Sequence, residues 1–177
     1  MSMVEALLQE LEHEARTTRR VLERVPGDQL AWKPHAKSMS LGQLALHVAT
    51  TPGAVAAMAQ QSPYQVGAFQ QASATSAAEL LPALDDSVAK ARAFLRGAAD
   101  ADLATTWRAM FQGTEVMALP LGVMLRGIMF NHWYHHRGQL SVYLRQVGAL
   151  VPSIYGPSAD ENPFTATASP AAPALSS

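Results

Sequence analysis

The histidines of the segment NHWYHHRGQL, residues 131–140, are the side chains best suited to chemistry in this sequence. The chain has six histidines in 177 residues, and three of them, His132, His135 and His136, lie in this segment. Residues four apart on an α-helix have Cβ atoms about 5–6 Å apart, so His132 and His136 could bind one metal ion. Two ligands are too few for a tight site, and a third must come from elsewhere in the chain.

His47 is the natural third ligand. It lies in the apolar run LGQLALHVATTPGAVAAMA, which has helical spacing, and the small residues Thr51 and Ala54 leave room beside its ring. A lone histidine on an apolar helix face is more often a core residue with one hydrogen bond, and the pair on the other helix could equally be polar packing. The metal site is therefore a hypothesis that requires the two helices to face each other.

Other polar side chains of the same segment could act beside such an ion. His135, Gln139 and Tyr143 lie near enough on the helix to orient or protonate a substrate. The segment HWYHH lacks the glutamate of the H-E-x-x-H motif, which disfavours a zinc protease. His13 and His35 are expected to be exposed, on a charged helix and in a loop.

Three imidazoles would leave at least one position of the ion open, as in catalytic sites. Neutral imidazole suits Zn, Ni, Fe and Cu, of which we expect one divalent ion of Zn, Ni or Fe. An open position can activate water for hydrolysis or hold a thiol as its thiolate. Because the sequence has no cysteine, an attacking thiol would have to be a small-molecule cosubstrate.

The periodicity and capping signals predict four helices without a confident strand pattern, and therefore an all-α four-helix bundle. Ser40 with Gln43, and Ser76 with Glu79, have the spacing of capping boxes, and Pro52 should kink the second helix. The third helix could begin nearer Leu80 because Pro82 falls early in it. The predicted helices span about 4–25, 40–61, 76–96 and 120–148.

The remaining segments give the domain organisation. Residues 99–119 predict a short hairpin around Gln112–Gly113 or an irregular excursion before the last helix. Residues 1–164 are expected to form one domain. Residues 165–177, TATASPAAPALSS, have the composition of a flexible C-terminal tail.

Composition excludes several classes of partner. The net charge of -1 gives no global field for nucleic acid or an anionic membrane. The longest apolar run contains His47 and Pro52 and reads as a buried helix, not a membrane span. The amino terminus does not resemble a signal peptide, so we expect a cytoplasmic protein. The expected partner is a small-molecule substrate.

The last helix also predicts a homodimer. Phe130, Trp133, Tyr134 and Leu144 should project away from the apolar face that serves the bundle, which leaves a second apolar surface to be covered. A second copy of the chain is the expected cover, since two-fold dimers are the commonest assembly. The alternative is that the segment before this helix, or the tail, folds over these side chains.

Two segments carry a resemblance to a known family: WKPHAKSMSLGQLALHVA, residues 32–49, and NHWYHHRGQLSVYLRQVG, residues 131–148, which VPSIYGPSADE follows. In order and type they resemble the DinB/YfiT family of metal-dependent proteins, over roughly residues 4–164. The resemblance implies a four-helix bundle, commonly dimeric. It also implies a metal held by a histidine of the second helix and an H-x-x-x-H pair of the last, here His47, His132 and His136.

The resemblance further implies an activity. Some relatives are thiol-dependent S-transferases or isomerases that use mycothiol, bacillithiol or glutathione. Thiol-dependent transfer or isomerisation, or a related metal-activated nucleophilic reaction, is therefore the expected function. A metal-dependent hydrolase and a helical dimer that binds a metal or ligand without turnover remain the alternatives.

Overall fold

Four long helices form the body of the protein in the computed structural model, which describes residues 1–68 and 70–165. Helix α1 spans Met3–Leu22, α2 spans Leu41–Ala59 and α3 spans Leu80–Gly97. Helix α4 is continuous through three parts, Leu121–Met124, Leu125–Asn131 and His132–Gln146. The predicted four-helix bundle is confirmed, and each helix lies within a few residues of its predicted bounds.

Capping explains where the helices begin. Ser40 and Gln43 form the predicted reciprocal box, in which each side chain accepts a hydrogen bond from the other residue's backbone N–H. The box predicted at Ser76 and Glu79 is wrong. Ser76 caps a short 3₁₀ turn, Ala77–Glu79, and the carboxylate of Glu79 instead accepts hydrogen bonds from Thr75, so α3 begins only at Leu80.

Pro52 links α2 to α4. Helix α2 continues through Pro52, which has no N–H to donate to the carbonyl of Val48. The indole Nε1 of Trp133 donates to that carbonyl instead, at 2.8 Å, and the Trp133 side chain is fully buried. The proline thus leaves an acceptor that a side chain of the opposing helix satisfies.

The middle part of α4, Leu125–Asn131, is a π-helix, with hydrogen bonds five residues apart. The sequence prediction assumed α-helical spacing throughout. In the π-helical part, buried side chains recur at intervals of five: Met124 with Met129, and Leu125 with Phe130.

The prediction that α4 has a second, exposed apolar surface is wrong. Phe130, Trp133 and Leu144 are completely buried within one chain, and Tyr134 is half-buried. These side chains give no reason to expect a partner, and the homodimer stays a prediction without their support.

A three-stranded sheet, in the order β1-β2-β3, packs against the start of α4. Strands β2, Thr106–Phe111, and β3, Thr114–Pro120, form the predicted hairpin, whose turn has positive φ at Gln112 and Gly113. Strand β1, Tyr64–Gln65, pairs in parallel with β2, and the sequence analysis missed it because two residues show no period.

The segment after α4 returns along the bundle and is fastened to α1. Arg20 pairs with Glu161 and donates to the carbonyl of Ser153, while Arg145 pairs with Asp160. The predicted tail, residues 165–177, lies outside the described residues except for Thr165. Among the described residues, no helix combines the length and apolar character needed to cross a membrane.

Candidate metal centre

The hydrogen bond between Trp133 and Val48 fixes the register of α2 against α4. Its two residues are the immediate neighbours of His132 and His47, so these histidines are brought opposite each other. His136 lies one turn further along α4 and faces the same point. The three rings meet edge to face, with centroids 4.5 to 5.0 Å apart.

The nitrogen atoms of the three rings converge. Nε2 of His132 lies 3.4 Å from Nε2 of His47 and 2.8 Å from Nε2 of His136, and one nitrogen from each ring lies within 4.8 Å of the other two. Ligand nitrogens about 2.0–2.1 Å from a common ion are separated by roughly 3–3.4 Å. The 3.4 Å contact matches this separation. The 2.8 Å contact is slightly shorter, so the rings of His132 and His136 would need to move apart only a little to bind an ion.

Burial keeps the rings neutral. Burial and, to a smaller extent, the neighbouring His136 and His132 together lower the pKa of His47 to about 4. Burial likewise lowers the pKa of His132 and of His136. The rings are therefore uncharged at neutral pH, which is the protonation state that a metal ligand requires. Within the described residues no carboxylate joins this group.

Gln139 sets the orientation of His136. Its Oε1 lies 2.8 Å from Nδ1 of His136, and because the amide oxygen can only accept, Nδ1 must carry the proton. Nε2 of His136 is then left with its lone pair directed at the other two rings. A hydrogen bond of this kind from the second ring nitrogen is usual for metal-bound histidine.

The other predicted site residues lie around the cluster. His135 is exposed, with its ring centroid 5.0 Å from that of His136. The hydroxyl of Tyr143 donates to the carbonyl of Met39 at 3.4 Å, and its ring packs against the edge of Trp32. The structure thus brings Gln139 into contact with a ligand, and it places His135 beside the cluster and Tyr143 against the loop before α2.

His13 and His35 are exposed, as expected, and neither belongs to the cluster. Sequence reasoning missed the part played by Trp133, whose side chain it placed on the outside of the bundle. The available signal was Pro52, because a proline inside a helix frees the carbonyl four residues earlier and that acceptor needs a donor.

A second polar cluster lies on the opposite side of α4. The guanidinium of Arg137 pairs with Glu14 of α1 at 2.6 Å, and both side chains are almost completely buried. Arg137 also donates to the carbonyl of Glu14, to the hydroxyl of Thr18 and to that of Tyr155. The Tyr155 hydroxyl in turn donates to Glu14 at 2.9 Å, so the buried charges are paired and hydrogen-bonded.

Comparison with known proteins identifies relatives of this chain. Over 161 residues the chain is 28% identical to the uncharacterized protein YrdA of Bacillus subtilis strain 168, with 87% of this chain and 89% of YrdA covered. The crystal structure of a DinB-like protein from Bacillus cereus ATCC 10987 superposes with a TM-score of 0.69 at 25% identity, covering 85% of this chain and 97% of that one.

A second solved structure shares the fold. The DinB-like protein YjoA of Bacillus subtilis superposes with a TM-score of 0.61 at 19% identity, over 81% of this chain and 92% of that one. Residues 1–165 match the model of the DinB family, which covers all four helices, the sheet and the three histidines. The chain belongs to the DinB family.

Proposed function

We propose that this protein binds one divalent metal ion through His47, His132 and His136 and uses it in a nucleophilic reaction on a small molecule. The reaction we expect is thiol-dependent S-transfer or isomerisation. The observation that carries the proposal is the convergence of three neutral imidazoles from two helices on one point. Such an ion, when bound by three protein ligands, supplies an open position at which a thiol or water becomes a better nucleophile.

The residues of the chain supply binding and orientation. His47, His132 and His136 hold the ion, which would be Zn, Ni or Fe on the basis of the imidazole donor set. Gln139 holds the tautomer of His136 through its hydrogen bond. His135 is exposed beside the cluster and can exchange a proton with a substrate there. The chain contributes no thiol of its own, so the thiol enters as a cosubstrate.

The metal site is tested by elemental analysis of protein purified without an affinity tag. We expect about one ion per chain in the wild type and a large loss in His47→Ala, His132→Ala and His136→Ala, because two imidazoles hold an ion much less tightly than three. His13→Ala is the matched control, since His13 is exposed and lies outside the cluster. Unchanged metal content in all three cluster variants would contradict the assignment.

The reaction is tested on the Co²⁺-loaded protein, whose visible spectrum reports its ligands. Added thiols should change the spectrum, and the loaded protein should couple a thiol to electrophilic small molecules faster than the metal-free protein does. Hydrolysis of esters or amides without any thiol requirement would favour the metal-dependent hydrolase. A loaded protein that neither binds thiols nor turns over any of these substrates would support a binding protein without turnover.

A further inference from the structure

A second feature of the structure lies beside the histidine cluster: an apolar cavity of about 320 Å³ between the sheet and the helices. Met58 of α2 and Ile128 of α4 form one side of it, and Trp107 of β2 and Met117 of β3 form the other. Tyr64 and the residues that follow it close the third side. The volume lies at the lower end of the range for small-molecule sites.

None of the described residues that line this cavity has a charged side chain. The ring of Tyr64 stacks on that of Trp107, with centroids 6.3 Å apart and 24° between their planes, which gives one wall an aromatic surface. The indole N–H of Trp107 is already used, since it donates to the carbonyl of Met58. A charged group placed here would lose its hydration without gaining a partner, whereas an uncharged flat group would gain apolar contact.

The cavity and the histidines both lie between α2 and α4, and we call the space between these two helices the groove. Met58 lies eleven residues after His47, which is about three helical turns, so the two share a face of α2. Ile128 lies four residues before His132 on α4. His47 contacts His132, and Met58 and Ile128 line the same cavity, so α2 and α4 run in opposite directions and both displacements lead the same way along the groove. The lining of the cavity thus ends about one turn from the nearest candidate ligand.

The segment after β1 borders this groove. The backbone N–H of Val66 donates to the carbonyl of Met110, which holds the start of the segment on the sheet. Further on, the side-chain amide of Gln71 donates to the carbonyl of Gln43, four residues before His47. The described parts of the segment therefore run from the cavity to the turn of α2 that precedes the first histidine.

We infer that this cavity is the subsite for an uncharged apolar group, aromatic or branched alkyl, on the substrate that reacts at the three histidines. The inference rests on the proposed function for the reaction itself. A polar thiol cosubstrate would approach from the other end of the groove, where Gln139 and His135 are exposed. The substrate class is then a small apolar electrophile, not a dicarboxylate or a phosphorylated compound.

The subsite is tested first on metal-free protein with the neutral fluorescent probe N-phenyl-1-naphthylamine. Val116 lies on the rim, is 54% exposed and can be changed to arginine without disturbing the core. Val116→Arg should weaken probe binding by about tenfold or more, because the probe would displace water from a charge. Val123→Arg is the matched control: Val123 is 58% exposed and lines a different cavity, with Asp100 and Arg126.

A second variant guards against misfolding. Val66→Arg, also on the rim, should have the same effect as Val116→Arg, and circular dichroism checks that each variant is folded. Wild-type protein that does not bind the probe would overturn the subsite. Equal binding by wild type and both folded rim variants would overturn it as well.

The connection with the histidines is tested on the Co²⁺-loaded protein with two thiols, benzyl mercaptan and 2-mercaptoethanol. The wild type should bind benzyl mercaptan about tenfold or more tightly, because its ring is buried in the cavity. Val116→Arg should lose this preference while its affinity for 2-mercaptoethanol is unchanged. Equal affinities in the wild type would overturn the connection. If the protein binds the probe but cannot be loaded with any divalent metal, the proposed function is overturned, and the cavity remains only as a site for an uncharged apolar ligand.

Discussion

Two polar clusters lie on opposite sides of α4, and the adjacent residues His136 and Arg137 belong to different ones. His136 joins two neutral histidines at a half-buried point between α2 and α4, while Arg137 enters a fully buried ion pair with Glu14 of α1. The charges of the second cluster are matched, and neighbouring hydroxyls and a carbonyl supply further hydrogen bonds. The histidine cluster contains no opposite charge among the described residues.

This difference in charge predicts that one cluster stabilises the fold and that the other binds a metal ion. A buried charge that loses its partner keeps the full cost of desolvation, so breaking the buried pair of Arg137 and Glu14 should strongly destabilise the fold. Neutral imidazoles placed nitrogen to nitrogen contribute little to folding, because desolvation opposes the contact and no charge attracts another. Changes in the arginine cluster should therefore alter stability, and changes in the histidine cluster should alter affinity for metal.

The largest effect is expected for Arg137→Met. It leaves the carboxylate of Glu14 buried and uncompensated, which should lower the free energy of unfolding by about 3–5 kcal/mol. Urea unfolding followed by circular dichroism measures the change. Arg126→Met is the matched control, because Arg126 lies on the same helix and pairs with Glu10 of α1 at the surface, where such a pair contributes only about 0–1 kcal/mol.

The double variant Glu14→Gln with Arg137→Met sharpens this test. Removing both charges should recover part of the loss, since the isolated carboxylate is the source of the cost. If Arg137→Met is as stable as the wild type, the Arg137 cluster does not stabilise the fold, and the proposed difference between the two clusters is wrong.

Metal removal should have the next largest effect on stability, and the effect should disappear when one of the three histidines is removed. At a free metal concentration a hundred times the dissociation constant, binding to the folded state adds about 2.7 kcal/mol to the stability. Thermal unfolding with and without a chelator measures the difference. His136→Ala should lose this increment and yet, without metal, unfold at nearly the same temperature as metal-free wild type. A large loss of metal-free stability in that variant would make the histidines structural.

The contact between the helices is tested by Trp133→Phe, which removes the donor to the carbonyl of Val48. Pro52 leaves this carbonyl without a helical partner, so the loss should cost about 1–3 kcal/mol and also weaken metal binding through the register of α2 and α4. Unfolding and metal titration measure the two effects. Trp107→Phe is the control, because the carbonyl of Met58 keeps a backbone donor from Gln61 when the indole is removed. If both variants lose stability and metal affinity equally, the hydrogen bond from Trp133 to Val48 does not fix the register of the two helices.

The sequence was sufficient for the helices and for the pair of His132 and His136, because both depend on local spacing, whereas the family resemblance supplied the place of His47 opposite them. Ser40 and Gln43 mark the start of α2, and the four-residue spacing of His132 and His136 survives because the part of α4 that holds them is α-helical. The π-helical part could not be predicted from period alone. Phe130, expected on the outside, lies in this part and is buried.

Long-range pairing was also beyond local signals. Strand β1 is two residues long and exists only because β2 lies beside it, so Tyr64 and the cavity next to it gave no sequence pattern. Arg137 lies beside the histidines in the sequence, and local spacing does not indicate that it pairs with Glu14 of α1. Its complete burial depends on Tyr155, more than a hundred residues from Glu14, and nothing in the local sequence signals that contact.

The smallest effect is expected at Gln139, where only the hydrogen bond to His136 is lost. Substitutions that remove such a partner typically weaken metal binding by about 10- to 100-fold, and because Gln139 is exposed, water can replace part of the interaction. Gln139→Ala should therefore weaken binding by about tenfold, or about 1.4 kcal/mol. Gln139→Glu keeps an acceptor for the Nδ1 proton and should bind at least as tightly as the wild type. A competitive chelator titration ranks the three proteins. If alanine and glutamate weaken binding equally, the amide oxygen does not set the tautomer of His136, and its Nε2 is aimed by packing alone.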